Sequence, residues 1–146
     1  MADRGLTHVA LLVADIDASL AFYARYAGMQ VVHDRRDAAT GSRVAWITDR
    51  TRPFVVVLVQ APQSVPKRLV RLFSKVVPGI QHLGVGCPSR EEVDRLSALA
   101  REEGRLRRGP TDYGPPVGYW SFIADPDGHI LELSFGQEVG LTVEGS

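Results

Sequence analysis

Cysteine is almost absent from this 146-residue chain: Cys87 is the only one, so no internal disulfide can form. Cys87 ends an apolar run, the place of a buried or strand-edge thiol, and no neighbour in sequence would activate it as a nucleophile. Net charge is missing as well. Lys plus Arg and Asp plus Glu stand at 17 each, which withholds electrostatic support from nucleic-acid or anionic-membrane binding. A small basic cluster, Arg101, Arg105, Arg107 and Arg108, reads as a solvated surface near a helix end. No apolar run approaches a membrane span and no signal-peptide pattern opens the chain, so the expected setting is the cytoplasm. What remains is an ordinary globular balance, 45% hydrophobic and 23% charged, in a length that suits one compact domain, residues 1–146, with a real core.

Within that length the sequence repeats itself. Leu6-Thr7-His8-Val9-Ala10-Leu11 reads like Ile80-Gln81-His82-Leu83-Gly84-Val85, and Arg43-Val44-Ala45-Trp46-Ile47-Thr48-Asp49 like Tyr119-Trp120-Ser121-Phe122-Ile123-Ala124-Asp125. The separation of His8 from His82 is two residues shorter than that of Asp49 from Asp125, the drift one loop insertion gives. Two copies suggest a duplicated module, 6–60 and 80–136, joined by a linker over 61–79 and followed by a tail over 137–146.

Each copy has the same order of elements. Val9 to Val13 is a buried strand. Asp15 supplies a helix cap, Leu20, Tyr23 and Ala27 fall at helical spacing, and Gly28 ends the helix. Strands follow at roughly 29–36, 42–48 and 53–60. In the second copy Ser89 caps a helix carrying Val93, Leu96, Leu99 and Ala100, Gly104 ends it, and strands follow near 105–109, 117–124 and 129–135. The expected class is α+β. In the linker, Lys67 to Val77 forms a short amphipathic helix with Leu69, Leu72, Phe73 and Val76 on one side, packing on the body or on a partner subunit. Residues 109–118 read as a turn-rich loop, and the tail after Gly136 carries little structural signal.

His8 and His82 open the matching first strands, and Glu132 lies among Ile130, Leu131 and Leu133 on the last. Two imidazoles and one carboxylate suit a divalent metal with open positions. A carboxylate among apolar residues is costly to bury unless a positive or hydrogen-bonding group meets it.

These features resemble the vicinal oxygen chelate superfamily, which holds glyoxalase I, fosfomycin resistance proteins, methylmalonyl-CoA epimerases, extradiol dioxygenases and bleomycin resistance proteins. The resemblance is carried by Thr7-His8-Val9-Ala10-Leu11, by Ala21-Phe22-Tyr23-Ala24 with Gly28-Met29, and by Asp125-Pro126-Asp127-Gly128 through Glu132. It implies two tandem βαβββ modules forming a U-shaped mixed sheet around a central cavity, with metal ligands at His8, His82 and Glu132. It also implies a homodimer and a small-molecule substrate with two adjacent oxygens. The fourth family ligand would stand on the last strand of module one, where the Asp49–Asp125 separation points to Val56, which cannot ligate. A three-ligand set departs from glyoxalase I and the epimerases and resembles the fosfomycin resistance and dioxygenase branches. Ring cleavage is not supported, because Phe122 stands where that branch has a tyrosine and no histidine occurs between His82 and His129.

Strand alternation then gives the expected pocket. Trp46, Phe54, Val56, Leu58, Trp120, Phe122 and Ile130 would line an apolar, aromatic space with one charged point. The tryptophans read equally well as core. Tyr113, in the long loop, is a candidate acid or hydrogen-bond donor. His33 is a candidate general base or a surface residue of an edge strand. His129 reads as an exposed turn residue, and Asp125-Pro126-Asp127-Gly128 as a tight turn that sets the register of the last strand. Together these residues and the resemblance imply a metal-dependent enzyme of the glyoxalase/dioxygenase type, with one of Fe, Mn, Ni, Co or Zn. Lyase, isomerase, oxygenase and thiol-transfer chemistry are all compatible with it. The alternative is a bleomycin-resistance-like protein that sequesters a drug or metabolite without chemistry.

Overall fold

A computed structural model describes residues 8–74 and 82–138. The chain divides into two compact units, Met1–Val76 and Val77–Ser146. In the first, β1 (His8–Val13), α1 (Ile16–Ala27), β2 (Gln30–Arg36), β3 (Arg43–Thr48) and β4 (Val55–Gln60) follow in order, with α2 (Lys67–Ser74) after them. In the second, β5 (His82–Gly86) leads to α3 (Arg90–Glu102), β6 (Leu106–Asp112), β7 (Tyr119–Ala124) and β8 (Ile130–Phe135). The sheets have orders β1-β4-β3-β2 and β5-β8-β7-β6, with the first and last strands of each module parallel and the other pairs antiparallel. The class is α+β, one βαβββ module per unit.

The helices start and stop where the sequence asks. The Asp15 carboxylate accepts from the Ala18 N–H at α1, and the Ser89 hydroxyl accepts from the Glu92 N–H at α3. Gly28 ends α1 in the left-handed conformation, φ 61°. Each helix then covers one face of its own sheet. In the first unit, buried Ile16, Phe22, Tyr23 and Tyr26 meet the β3–β4 face carrying Ala45, Ile47, Val56 and Leu58. The Ile16 N–H donates to the Gln60 side chain at 2.9 Å, which marks that face as the helix side. In the second, Val93, Leu96 and Ala100 meet Ile123, Leu131 and Leu133, and the Ser97 hydroxyl meets that of Ser121 at 2.8 Å.

Two expectations are corrected here. On α2, Val70 is the buried side chain, whereas Leu69 and Leu72 are exposed; the Phe73 side chain and Val76 lie outside what is described. Spacing marks an apolar stripe but not which edge of it docks. Strand β6 runs on through Pro110 to Asp112, well into the expected loop. Proline is tolerated because β6 is an edge strand and its register shifts between Arg108 and Thr111, so the missing N–H breaks no regular ladder.

Candidate functional site

In the second unit the parallel pairing of β5 with β8 sets His82 beside Ile130, Gly84 beside Glu132 and Gly86 beside Ser134. Across β8, Phe122 pairs with Glu132 and Trp120 with Ser134. All of these share the sheet face opposite α3. The His82 Nε2 lies 3.0 Å from the Glu132 Oε2, with side-chain exposures of 35% and 8%. The other carboxylate oxygen, Oε1, accepts from the Gln137 side chain at 3.0 Å. A carboxylate this buried needs such partners. In front of β5 the space is open, since a Cβ added at Gly84 or Gly86 would meet nothing within 4 Å.

The pair fits a metal. Two ligands bound at about 2.1 Å and separated by about 90–110° stand about 3.0–3.4 Å apart. One imidazole nitrogen and one carboxylate oxygen are also donors that divalent first-row ions accept. Gln137 would hold the ligating carboxylate from behind. That residue falls in the tail the sequence left unassigned, and no pattern in the sequence pointed to it.

An aromatic row continues along the same face. The His82 ring lies 5.1 Å from Phe122, Phe122 4.6 Å from Trp120, and Trp120 5.3 Å from Tyr113 in an edge-on contact. Tyr113 is exposed, and its hydroxyl accepts from Arg108 at 2.9 Å. The Arg108 guanidinium also lies 5.2 Å over the Trp120 ring. Arg108 is thus exposed, as the basic cluster predicted, but turned to the site face rather than simply solvated.

The first unit repeats the scheme with different residues. His8, Ala10 and Leu12 lie beside Val55, Val57 and Val59, with Trp46 next to Val57 and His33 next to Trp46. This face is opposite α1. The register therefore corrects the position matched to Glu132. Glu132 pairs with Gly84 and Phe122, as Val57 does with Ala10 and Trp46. Val56 and Leu58, expected in the pocket, are 4% and 0% exposed and face the helix. The cause is the longer turn of module one: residues 49–54 join β3 to β4, whereas 125–129 join β7 to β8. Phe54 lies in that turn, its carbonyl accepting from the Thr48 hydroxyl. His33 is exposed on edge strand β2, its ring 5.0 Å from that of half-exposed Trp46. A cavity of about 320 Å³ opens there, lined among others by His33, Arg35, Val44 and Trp46.

The Asp125-Pro126-Asp127-Gly128 segment is the expected turn, closed by the Gly128 N–H on the Asp125 carbonyl at 3.0 Å. His129 is not an exposed turn residue. Its side chain is 19% exposed, and its Nδ1 lies 2.9 Å from Oδ2 of the fully buried Asp125 carboxylate. Burial pushes the His129 pKa down, but the hydrogen bond and charge of Asp125, with Asp127, outweigh it and hold it above the ordinary value. The ligand atoms of Asp125, Asp127 and His129 lie within 4.8 Å of one another. Asp125 Oδ1 already accepts from the Asp127 and His129 N–H groups at 2.8 Å each, which makes the cluster a clasp on the turn. At Cys87, burial raises the thiol pKa, followed by the nearby Glu92 charge, in keeping with an inert residue.

A model of the Glyoxalase/Bleomycin resistance protein/Dioxygenase superfamily matches residues 5–133. An uncharacterized protein of Pseudomonas aeruginosa is 36% identical over 135 residues, covering 92% of this chain and 91% of its own. A probable lactoylglutathione lyase of Vibrio parahaemolyticus is 23% identical over 147 residues, covering 99% of this chain and 100% of its own. Among solved structures, a variant of the Listeria monocytogenes fosfomycin resistance protein FosX, in complex with Mn(II) and 1S,2S-dihydroxypropylphosphonic acid, aligns with a TM-score of 0.68. Its identity is 17%, over 97% of this chain and 99% of that one. An antibiotic binding protein from a Streptomyces species aligns with a TM-score of 0.61 at 22% identity, over 92% of this chain and 98% of that one. Both structures are likenesses of fold.

Proposed function

The chain belongs to the Glyoxalase/Bleomycin resistance protein/Dioxygenase superfamily, and we propose that it acts there as a divalent-metal enzyme on a small substrate with two adjacent oxygens. The observation that carries this reading is the His82–Glu132 pair, 3.0 Å apart on one sheet face, with the carboxylate nearly buried. His8, the matching residue of the first module, is proposed as the third ligand. The ion, one of Fe, Mn, Ni, Co or Zn, supplies Lewis-acid stabilisation to negative charge developing on the substrate oxygens.

The protein's own part is orientation and exclusion of water. Gln137 fixes one oxygen of Glu132 and so the direction of the other. Gly84 and Gly86 leave room in front of β5. Phe122, Trp120 and Ile130 give that face its apolar character and favour an apolar or aromatic substrate. Tyr113 is the candidate proton donor: its oxygen accepts from Arg108, which leaves its own O–H free to donate. His33, its ring tilted against that of Trp46 at an exposed edge, is left with a surface role. Valine at position 57, where a second carboxylate would match Glu132, favours a three-ligand centre over the four-ligand pattern of glyoxalase I.

A binding protein that sequesters an aromatic drug or metabolite is the second reading, favoured by the aromatic row along β7. Metal analysis of protein purified without chelator separates the two. Stoichiometric metal that is lost in His82→Ala supports the enzyme. Metal-free protein that binds aromatic ligands equally well before and after that change supports the binder. The working assembly is proposed as a homodimer acting in the cytoplasm. Exposed Leu12, Leu69 and Leu72 would be covered by a second copy, and sedimentation gives the state directly. No helix among the described residues is long and apolar enough to cross a membrane.

A further inference from the structure

We propose that Trp120 and Arg108 form an anion-reading subsite, so that the substrate carries an anionic oxygen group separate from the oxygens at the metal. This deepens the reading above and rests on its assignment of the β7–β8 face to substrate. Trp120 is 4% exposed, and its Nε1 has no hydrogen-bond partner among the described residues. A buried N–H without an acceptor is rare in a folded protein and calls for an occupant. The acceptor that fits is set by what lies on the ring. The Arg108 guanidinium stands 5.2 Å over the indole and donates one N–H to the Tyr113 hydroxyl, with no carboxylate paired to it among the described residues. An indole N–H without an acceptor, beside a cation that has further N–H groups to donate, matches a carboxylate or phosphate-like oxygen rather than a neutral ligand.

The register gives the subsite its place. Phe122 stands beside Glu132, and Trp120 is the next residue of β7 on that face, beside Ser134. At about 3.4 Å per residue, the Trp120 backbone stands about 7 Å along the strand from that of Phe122, the neighbour of Glu132. The matching positions in the first module are Val44, beside Val59, and His33, beside Trp46. Neither offers an indole N–H or a guanidinium, so only one module reads the anion, which orients the substrate on the metal.

The chain has two tryptophans, so ¹⁵N-labelled protein gives two indole N–H resonances, and Trp120→Phe identifies one by its disappearance. Benzoate and inorganic phosphate are titrated in separate arms, with benzyl alcohol as the neutral control. The Trp120 resonance should move saturably downfield with at least one anion and not with the alcohol, and the better arm shows which oxyanion is preferred. Arg108→Gln, an exposed position, should weaken that binding at least about tenfold, as expected for a lost charged hydrogen bond. A resonance unmoved by both anions means water serves the indole and overturns the proposal. Equal movement with benzyl alcohol, or in Arg108→Gln, does so too. Protein that binds no metal but shows the anion shift sinks the metal centre and keeps the subsite. Protein that binds metal without the shift sinks the subsite alone.

Discussion

Glu132→Gln separates a metal ligand from a merely buried carboxylate. The substitution keeps size and shape. The new amide oxygen can still accept from Gln137, and the amide NH₂ can donate to a neutral His82 Nε2, so both 3.0 Å contacts of Glu132 have replacements. The metal-free protein should therefore change by no more than about 1.5 kcal/mol, the size of one exchanged hydrogen bond. Metal linkage behaves differently. At a free ion concentration a hundredfold above its dissociation constant, binding to the folded state adds about 2.7 kcal/mol. For a chain of this length that raises Tm by about 8 °C, taking about 3 °C per kcal/mol. The assay is thermal unfolding after chelation, with and without Mn(II) or Zn(II). Wild type should gain about that shift, and Glu132→Gln and His82→Ala should each keep less than a quarter of it. If Glu132→Gln responds to metal as wild type does, the carboxylate is not a ligand and the assignment of this face fails.

Other consequences follow from the same geometry. Val56→Glu should cost about 3–5 kcal/mol, because it buries an unpaired charge beneath α1, whereas Val57→Glu, on the open face, should cost about 1 kcal/mol or less; urea unfolding of the two variants checks the one-residue shift. The raised pKa of His129 means that its clasp on Asp125 is fully stabilising below about 6.5 and is lost as pH climbs through the higher folded value. Wild type minus His129→Gln stability should accordingly fall across that range, and a flat difference would refute the pairing. Gly118→Ala should cost more than about 2 kcal/mol, since φ is 82° and the new Cβ would lie 2.5 Å from the Phe135 carbonyl oxygen; a variant as stable as wild type in thermal unfolding would contradict that register.

The βαβββ order was legible because its signals are local. Cap residues at Asp15 and Ser89, the stop at Gly28, and alternating apolar strands act within a few residues of themselves. His82 and Glu132 were legible because the repeat marks equivalent strand positions, and parity then fixes the shared face. The repeat did not fix Val57, since one extra residue in the 49–54 turn flips every later side chain to the other face. Gln137, His129 and Arg108 were read as frayed, exposed or solvated for a related reason. Each acts through a partner fixed by the fold, namely Glu132, Asp125 or Trp120, and composition does not show where a polar side chain turns. Val70 on α2 belongs with them, since spacing marks the apolar stripe of a short helix but leaves its docking edge to tertiary contacts.

The two modules share a fold but differ in the donors on their matching faces. Matching faces in the two modules hold Glu132 against Val57, Trp120 against Val44 and Arg108 against His33, while the histidines at 8 and 82 are the same. Valine at 57, where Glu132 has a carboxylate in the second half, leaves the proposed centre with one negative charge and one ligand fewer than two identical halves would supply. With two neutral imidazoles and one carboxylate, a divalent ion keeps a net charge near +1 and more positions for substrate, an arrangement that favours bound oxyanions. The polar groups of the second half, Arg108, Trp120 and Glu132, lie on β6, β7 and β8. On that account, restoring a carboxylate at 57 should lower the affinity for anionic ligands while tightening the hold on metal, and a variant with both affinities unchanged would separate the two halves functionally.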